Sequence, residues 1–192
     1  MKTVTKEYKV FKFDELSDTA KDKAIEKYNE NDDYPFLEDD INYQFGEIDS
    51  YFTDTEIQYS LSSCQGDGLS FSGEFNLRKF LTDRYTDKLS KMRINAICEM
   101  IYRVFSVGNE GHYCFALKGH VDYDLNYTDK DFPTLEKLWY GVLEDIRVYY
   151  LDICKNLEKY GYEIVEHIYT HDEFTDLCES NDYEFLENGT MY

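Results

Sequence analysis

Residues 57–75 read IQYSLSSCQGDGLSFSGEF, and this stretch decides the fold that the sequence predicts. Apolar and polar residues alternate from Ile57 to Ser63 and again from Leu69 to Phe75, which is the period of a half-buried strand. The glycines of Cys64-Gln-Gly-Asp-Gly68 can supply the positive φ angles that a hairpin or a bulged loop needs. We therefore predict a β-hairpin over these residues.

Helical and strand-like patterns flank this hairpin on both sides. Before it, the patterns predict a strand over Lys6–Phe13, a helix capped by Ser17 that runs to about Glu30, and a helix opened by Pro35 with apolar positions to Ile48. After it, they predict a helix over 89–107, a strand or second hairpin over 112–127, a long helix from Pro133 that Gly161 ends, a short helix after a capping box at Thr170, and a strand over 183–186.

These elements predict a single α+β domain over residues 1–192, a length that suits one hydrophobic core. We expect a largely antiparallel sheet that combines the hairpin with strands near 7–13 and 112–124. The two long helices, over 89–107 and 133–159, are expected to pack on this sheet. Residues 28–77 are an acidic helix and hairpin region, and residues 160–192 are an acidic C-terminal region.

The charge of the chain is strongly negative and unevenly distributed. Forty acidic residues against 20 basic residues give a formal net charge of −20. Residues 28–77 contain 12 acidic residues and no Lys or Arg, and residues 160–192 contain nine and none. Residues 78–103 hold seven basic and three acidic residues, a net of +4. This composition disfavours direct binding of nucleic acid or anionic membranes and favours basic protein partners.

Hydropathy and cysteine usage predict a cytoplasmic protein. No stretch approaches the roughly 18 apolar residues of a membrane span, and Met1–Phe13 alternates charged with aromatic residues instead of forming a signal segment. The five cysteines form no CxxC pair and are expected to be reduced and mostly buried. They are Cys64, Cys98, Cys114, Cys154 and Cys178.

Three segments resemble a family of phage and prophage proteins commonly labelled antitoxins of a toxin–antitoxin stability system. They are 13–24 (FDELSDTAKDKA), 59–71 (YSLSSCQGDGLSF) followed by Gly73, and 181–189 (NDYEFLENG). The family pattern in the middle segment resembles Ser-Gln-Gly-Asp-Gly-Ala, whereas this chain has Cys64 and Leu69 in place of Ser and Ala. The resemblance implies an accessory protein of a mobile element in a bacterial host, and it does not define an activity.

The loop of Gln65, Gly66, Asp67 and Gly68 is the first candidate for chemistry. Glycine-flanked N–H groups can bind an anion, and Asp67 could ligate a divalent cation. The loop lacks the Lys and Ser/Thr of a phosphate loop and the further carboxylates of a calcium loop. A structural turn, in which Asp67 caps its own backbone, is the favoured interpretation.

The remaining candidates for catalysis are weaker. His167 and His171 are four residues apart, but Thr170 between them is the predicted start of a helix, and no HExxH motif is formed. No cysteine has the local signature of a nucleophile. We therefore predict no catalytic residue, no metal and no cofactor; a small metal-dependent hydrolase that uses the Gly-Asp-Gly loop is the less favoured alternative.

The acidic run is the stronger candidate for a binding surface. Six acidic residues lie within eleven positions without a basic residue between them, and two more follow: Glu30, Asp32, Asp33, Glu38, Asp39, Asp40, Glu47 and Asp49. Such a run is often only a solvated face. Like charges on neighbouring turns repel one another, however, and a basic partner would offset this repulsion.

These observations lead to a hypothesis about function. Carboxylates on neighbouring helical turns lie about 5–6 Å apart, so an acidic helix can imitate a track of backbone phosphates. For a phage-type protein, the hypothesis is a non-enzymatic inhibitor that binds a host nucleic-acid-binding defence enzyme, such as a CRISPR effector. The alternative is an antitoxin that neutralises a basic toxin through the same surface.

Overall fold

The structure is a computed structural model that describes residues 7–30, 34, 36–62, 66–108, 119–126 and 133–192. The described residues form six α-helices, a four-stranded antiparallel sheet and a two-stranded sheet, so the predicted α+β class is confirmed. The chain divides into two compact units, a terminal unit (residues 1–35 and 165–192) and a central unit (residues 36–164). The single domain over residues 1–192 stays a prediction.

The terminal unit joins the two ends of the chain. Its elements are β1 (Val10–Phe11), a 3₁₀ turn (Phe13–Glu15), α1 (Asp18–Asn29), α6 (His171–Ser180) and β6 (Phe185–Leu186). The Ser17 side chain caps α1, and a capping box between Thr170 and Glu173 starts α6, as the sequence predicts. Phe13 and Phe174 meet edge to face at 5.0 Å in the core.

The N-terminal strand has a different partner from the one predicted. β1 pairs antiparallel with β6 through Val10 opposite Leu186 and Phe11 opposite Phe185. The prediction that residues 7–13 join the hairpin in one sheet is therefore wrong. Alternation along a strand indicates that one face is buried, and it does not specify the strand with which it pairs.

The central unit contains the main sheet and the longest helix. Its elements are α2 (Leu37–Ile48), β2 (Phe52–Ser60), β3 (Gly68–Phe75), α3 (Leu77–Tyr85), α4 (Lys91–Met100), β4 (Ile101–Val107), β5 (His120–Leu125) and α5 (Pro133–Val165). The strands lie in the order β2-β3-β4-β5, and all pairs are antiparallel. No helix in the described part of the chain is long and apolar enough to cross a membrane.

The predicted hairpin is confirmed and is longer than expected. Ile57 lies opposite Phe71 and Ser60 opposite Gly68, and the pairing extends back to Phe52 opposite Phe75. Of the strand predicted over 112–124, residues 120–124 belong to β5, and residues 112–118 lie outside the described residues. The hairpin reaches β5 through β4.

The helix predicted over 89–107 is wrong in its second half. α4 ends at Met100, and the backbone at Ile101 is extended, with φ −96° and ψ 114°. Ile101–Val107 then pairs with both β3 and β5. This segment is rich in β-branched and aromatic residues, which fit a pleated sheet between two neighbouring strands better than a helix.

The core of the central unit lies between α5 and the sheet. Tyr150 of α5 is 1% exposed, and its hydroxyl donates to the Phe71 carbonyl at 3.1 Å. Gly161, predicted to end this helix, lies inside it, because α5 continues to Val165. A Cβ atom at position 161 would lie 2.4 Å from Cδ1 of Leu61, so the glycine permits close packing.

Candidate functional site

The candidate binding surface of the central unit is the exposed side of α2. Ile41 and Phe45 are buried and fix the rotation of this helix. Glu38, Asp39 and Glu47 are exposed and form no ion pair with any residue that the structure describes. At 3.6 residues per turn, Asp39 and Glu47 lie about 80° apart around the helix axis, whereas Glu38 projects on the side opposite Glu47. We call Asp39 and Glu47 the α2 acidic face.

The surroundings of the α2 acidic face combine charge with aromatic surface. Glu38 and Asp39 lie in the first turn, where the helix dipole favours negative charge. Phe36 is 61% exposed and Tyr43 is 69% exposed. Asp40, in the same turn as Glu38, is half-buried and less accessible to a partner. Exposed aromatic residues are enriched at surfaces that bind proteins.

Asp49 is held inside the fold. Its carboxylate accepts hydrogen bonds from the N–H groups of Tyr51 at 3.1 Å and Phe52 at 2.8 Å. The Tyr149 hydroxyl donates to the same carboxylate at 2.8 Å. These bonds connect the end of α2 to β2 and α5, so Asp49 has a structural role that the sequence did not indicate.

Three of the predicted partner-binding residues precede α2 in the chain. Glu30 is exposed, follows α1 and belongs to the terminal unit. Asp32 and Asp33 lie outside the described residues. The structure therefore brings together Glu38, Asp39, Asp40 and Glu47 on one helix.

Asp67 of the Gly-Asp-Gly loop is hydrogen-bonded to β2 and α5. Gln65 lies outside the described residues, and Gly66 and Gly68 have positive φ angles of 135° and 151°. Asp67 accepts from the hydroxyl of Ser60 at 2.9 Å and from that of Tyr162 at 2.8 Å. These contacts tie the Asp67 carboxylate to β2 and α5, and the predicted cap of Asp67 on its own backbone stays a prediction.

Tyrosine hydroxyls recur as donors to aspartates in the central unit. Tyr149 donates to Asp49, Tyr162 donates to Asp67, and Tyr85 donates to Asp145. Burial, reinforced by the neighbouring aspartate, raises the pKa values of Tyr85 and Tyr149 far above that of free tyrosine. Both hydroxyls therefore remain protonated donors at physiological pH.

The described residues offer no obvious metal centre. No group of three or more His, Cys, Asp and Glu side chains comes together in the described ranges. His171 faces Asp22 at 2.9 Å, whereas His167 faces Glu173 at 3.8 Å. The two histidines thus have different carboxylate neighbours.

The described cysteines lie in apolar surroundings. Burial raises the pKa of Cys154 to about 12 and that of Cys178 to about 11. Cys98, which is half-buried, has a pKa raised for the same reason. Cys64 and Cys114 lie outside the described residues.

Cys154 and Cys178 are expected to react with a thiol reagent such as DTNB at pH 8 only after unfolding. Their thiols are buried, and little thiolate forms at this pH. Because the folded pKa exceeds the unfolded value, the folded state also loses stability as the pH rises above about 8.5. Mass spectrometry of the labelled protein, with and without guanidinium, identifies the modified positions. Rapid labelling of Cys154 in the native protein would contradict the expectation.

A second surface feature is a groove between α3 and α5. It has a volume of about 510 Å³ and is lined by Phe80, Arg84, Tyr85, Lys88, Asp145, Val148, Tyr149 and Asp152. The excess of basic residues over 78–103 was visible in the sequence. The arrangement of Arg84 and Lys88 opposite two aspartates was not, because those aspartates lie some 60 residues further along the chain.

No protein-family model, curated protein sequence or solved structure matches this chain. The candidate site is therefore defined by its geometry and charge.

Proposed function

We propose that this protein is a non-enzymatic inhibitor that binds a basic, nucleic-acid-binding protein through the α2 acidic face. For an accessory protein of phage type, the target is a host defence enzyme that grips DNA or RNA, such as a CRISPR effector. The carboxylates take the place of backbone phosphates in the basic groove of that enzyme. Binding excludes the natural nucleic acid by competition.

One observation carries this proposal: Glu38, Asp39 and Glu47 are exposed on one helix and pair with no cation in the described chain. Glu38 and Asp39 are nine and eight residues from Glu47, a rise of roughly 12 to 14 Å along the helix axis. The charges thus extend over a length that several phosphates occupy on one strand. Lys and Arg side chains in the basic groove of a target can contact the carboxylates at both ends of α2.

The aromatic residues support a protein as the target. Phe36 and Tyr43 add apolar contact area beside the carboxylates, and such area stabilises contacts between proteins. The net charge of −20 repels DNA and RNA themselves. A basic protein satisfies both the charge and the apolar surface.

Reversing charge at Asp39 and Glu47 to Lys is expected to weaken binding to the target at least about tenfold, because two attractive contacts become repulsive. The fold should be retained, since both side chains are exposed. Lys at position 39 opposes the helix dipole, whereas Lys at 47, in the last turn, is favoured by it. The measurement is capture of proteins from the natural host on the immobilised wild type and on the variant.

The matched control is Asp176→Lys/Glu179→Lys, which makes the same charge change on exposed positions of α6. The control should capture the target as the wild type does. Adding the DNA or RNA that the target naturally binds should release the target from the immobilised protein. Equal capture by all three proteins would show that the acidity only maintains solubility. Capture of a basic toxin instead of a defence enzyme would favour the antitoxin alternative, which the family resemblance suggests.

A further inference from the structure

The walls of the α3–α5 groove carry opposite charges. Arg84 and Lys88 line one side, and Asp145 and Asp152 of α5 line the other. Two positive and two negative side chains make the groove formally neutral. Neither Arg84 nor Lys88 forms an ion pair within the described part of the chain.

The cations of this groove are held in place by aromatic rings. The Arg84 guanidinium lies 5.0 Å from the ring centre of Tyr149 and 5.5 Å from that of Phe80. The Lys88 ammonium lies 5.2 Å from the ring centre of Tyr85. Such cation–π contacts orient the positive groups and leave their hydrogen-bond donors available to a ligand.

The groove also contains exposed apolar surface. Val148 lines it and is 50% exposed. Covering this side chain would contribute a hydrophobic term to association. The aromatic rings that support the cations remain on the inner side.

We propose that a second copy of this chain covers the α3–α5 groove in a two-fold symmetric dimer. A two-fold axis that runs along the groove, between its two walls, brings the same patch of each copy together with the basic wall of one copy facing the acidic wall of the other. Arg84 and Lys88 then gain carboxylate partners, which they lack among the described residues. A patch with opposite charges on its two walls is self-complementary in this sense, whereas a patch of one sign is not.

The neutrality of the groove favours this site over the rest of the surface for self-association. Two copies repel each other through their net charge of −20 each. At about 0.15 M salt the Debye length is about 8 Å, so contacts in the interface outweigh more distant charges. This inference concerns the isolated protein and does not depend on the proposed target.

A charge-swap experiment tests the dimer by sedimentation velocity over a range of concentrations at physiological salt. The wild type is expected to associate to a dimer. Lys88→Glu and Asp152→Lys should each weaken the dimer at least about tenfold, because each puts like charges opposite one another. The double variant Lys88→Glu/Asp152→Lys exchanges the charges at positions 88 and 152, one on each wall, and should restore association.

The control is Glu47→Lys, which makes the same charge change as Asp152→Lys on the α2 acidic face and should leave the dimer intact. Circular dichroism of each variant shows that the fold is retained. A wild type that is monomeric at the highest concentration it reaches would overturn the proposal. So would a double variant as weak as the single ones, or a Glu47→Lys variant that also fails to dimerise.

Discussion

Replacing Asp49 with alanine is expected to lower the free energy of unfolding by about 3 kcal/mol, since three hydrogen bonds to a charged acceptor are lost. The carboxylate accepts from two backbone N–H groups, of Tyr51 and Phe52, that follow α2. The Tyr149 hydroxyl loses its acceptor as well. Alanine at the exposed Glu47, two residues earlier, is expected to change stability by less than about 0.5 kcal/mol.

Urea unfolding followed by circular dichroism measures this difference. Asp49→Asn retains one carbonyl acceptor and should lie between the wild type and Asp49→Ala, at a loss of about 1–2 kcal/mol. If Asp49→Ala unfolded at the same urea concentration as Glu47→Ala, its carboxylate would not stabilise the fold. Asp49 would then return to the candidates for partner binding.

Sequence patterns correctly predict those secondary-structure elements whose conformation is set by residues close to them in the chain. The hairpin over 57–75, the helix after Pro35 and the capping box at Thr170 are all present in the structure. Each depends on side chains within a few residues: alternation, helical spacing or a reciprocal cap. For these elements the local sequence pattern is sufficient.

The segment 101–107 shows where periodicity is ambiguous. Ile101, Val104 and Phe105 recur at helical spacing, so they extend the apolar face of the preceding helix. In the structure Ile101 and Val104 are buried in the sheet, and Arg103 pairs with Glu74 of the neighbouring strand. The pairing with β3 and β5 decides the conformation, and these strands are distant in sequence.

Gly161 shows a similar limit. A glycine after an apolar helical pattern is a common helix terminator, because it adopts left-handed backbone readily. Here it lies within α5 and is packed against Leu61, which is one hundred residues earlier in the chain. Because Gly161 has no side chain, α5 can pack closely against Leu61. No local sequence pattern indicates this contact.

The candidate site was predictable in composition and only partly in role. The sequence identified every carboxylate of the α2 acidic face by the lack of Lys and Arg nearby. It grouped Asp49 with them, although Tyr149 engages that residue from a distance of 100 positions. The groove residues of α3 and α5 were not associated with one another, because opposite charges far apart in sequence give no periodic signal.

The final prediction concerns Gly189 in the terminal unit, which lies in a segment that carries the family resemblance. It follows β6 with a φ of +84°, and its N–H donates to the Leu186 carbonyl at 2.9 Å. A Cβ atom at this position would lie 2.1 Å from the Ala20 carbonyl oxygen of α1. A main-chain oxygen cannot move aside as the end of a flexible side chain can.

Gly189→Ala is therefore expected to destabilise the terminal unit by about 3 kcal/mol, the combined cost of a left-handed alanine and of displacing α1. Hydrogen exchange of the α1 amides measures the loss within this unit. The control is Gly141→Ala, where an added Cβ on α5 meets no atom within 4 Å. That change should stabilise its helix by about 0.5–1 kcal/mol. Unchanged protection of α1 in Gly189→Ala would mean that the turn after β6 does not pack on this helix.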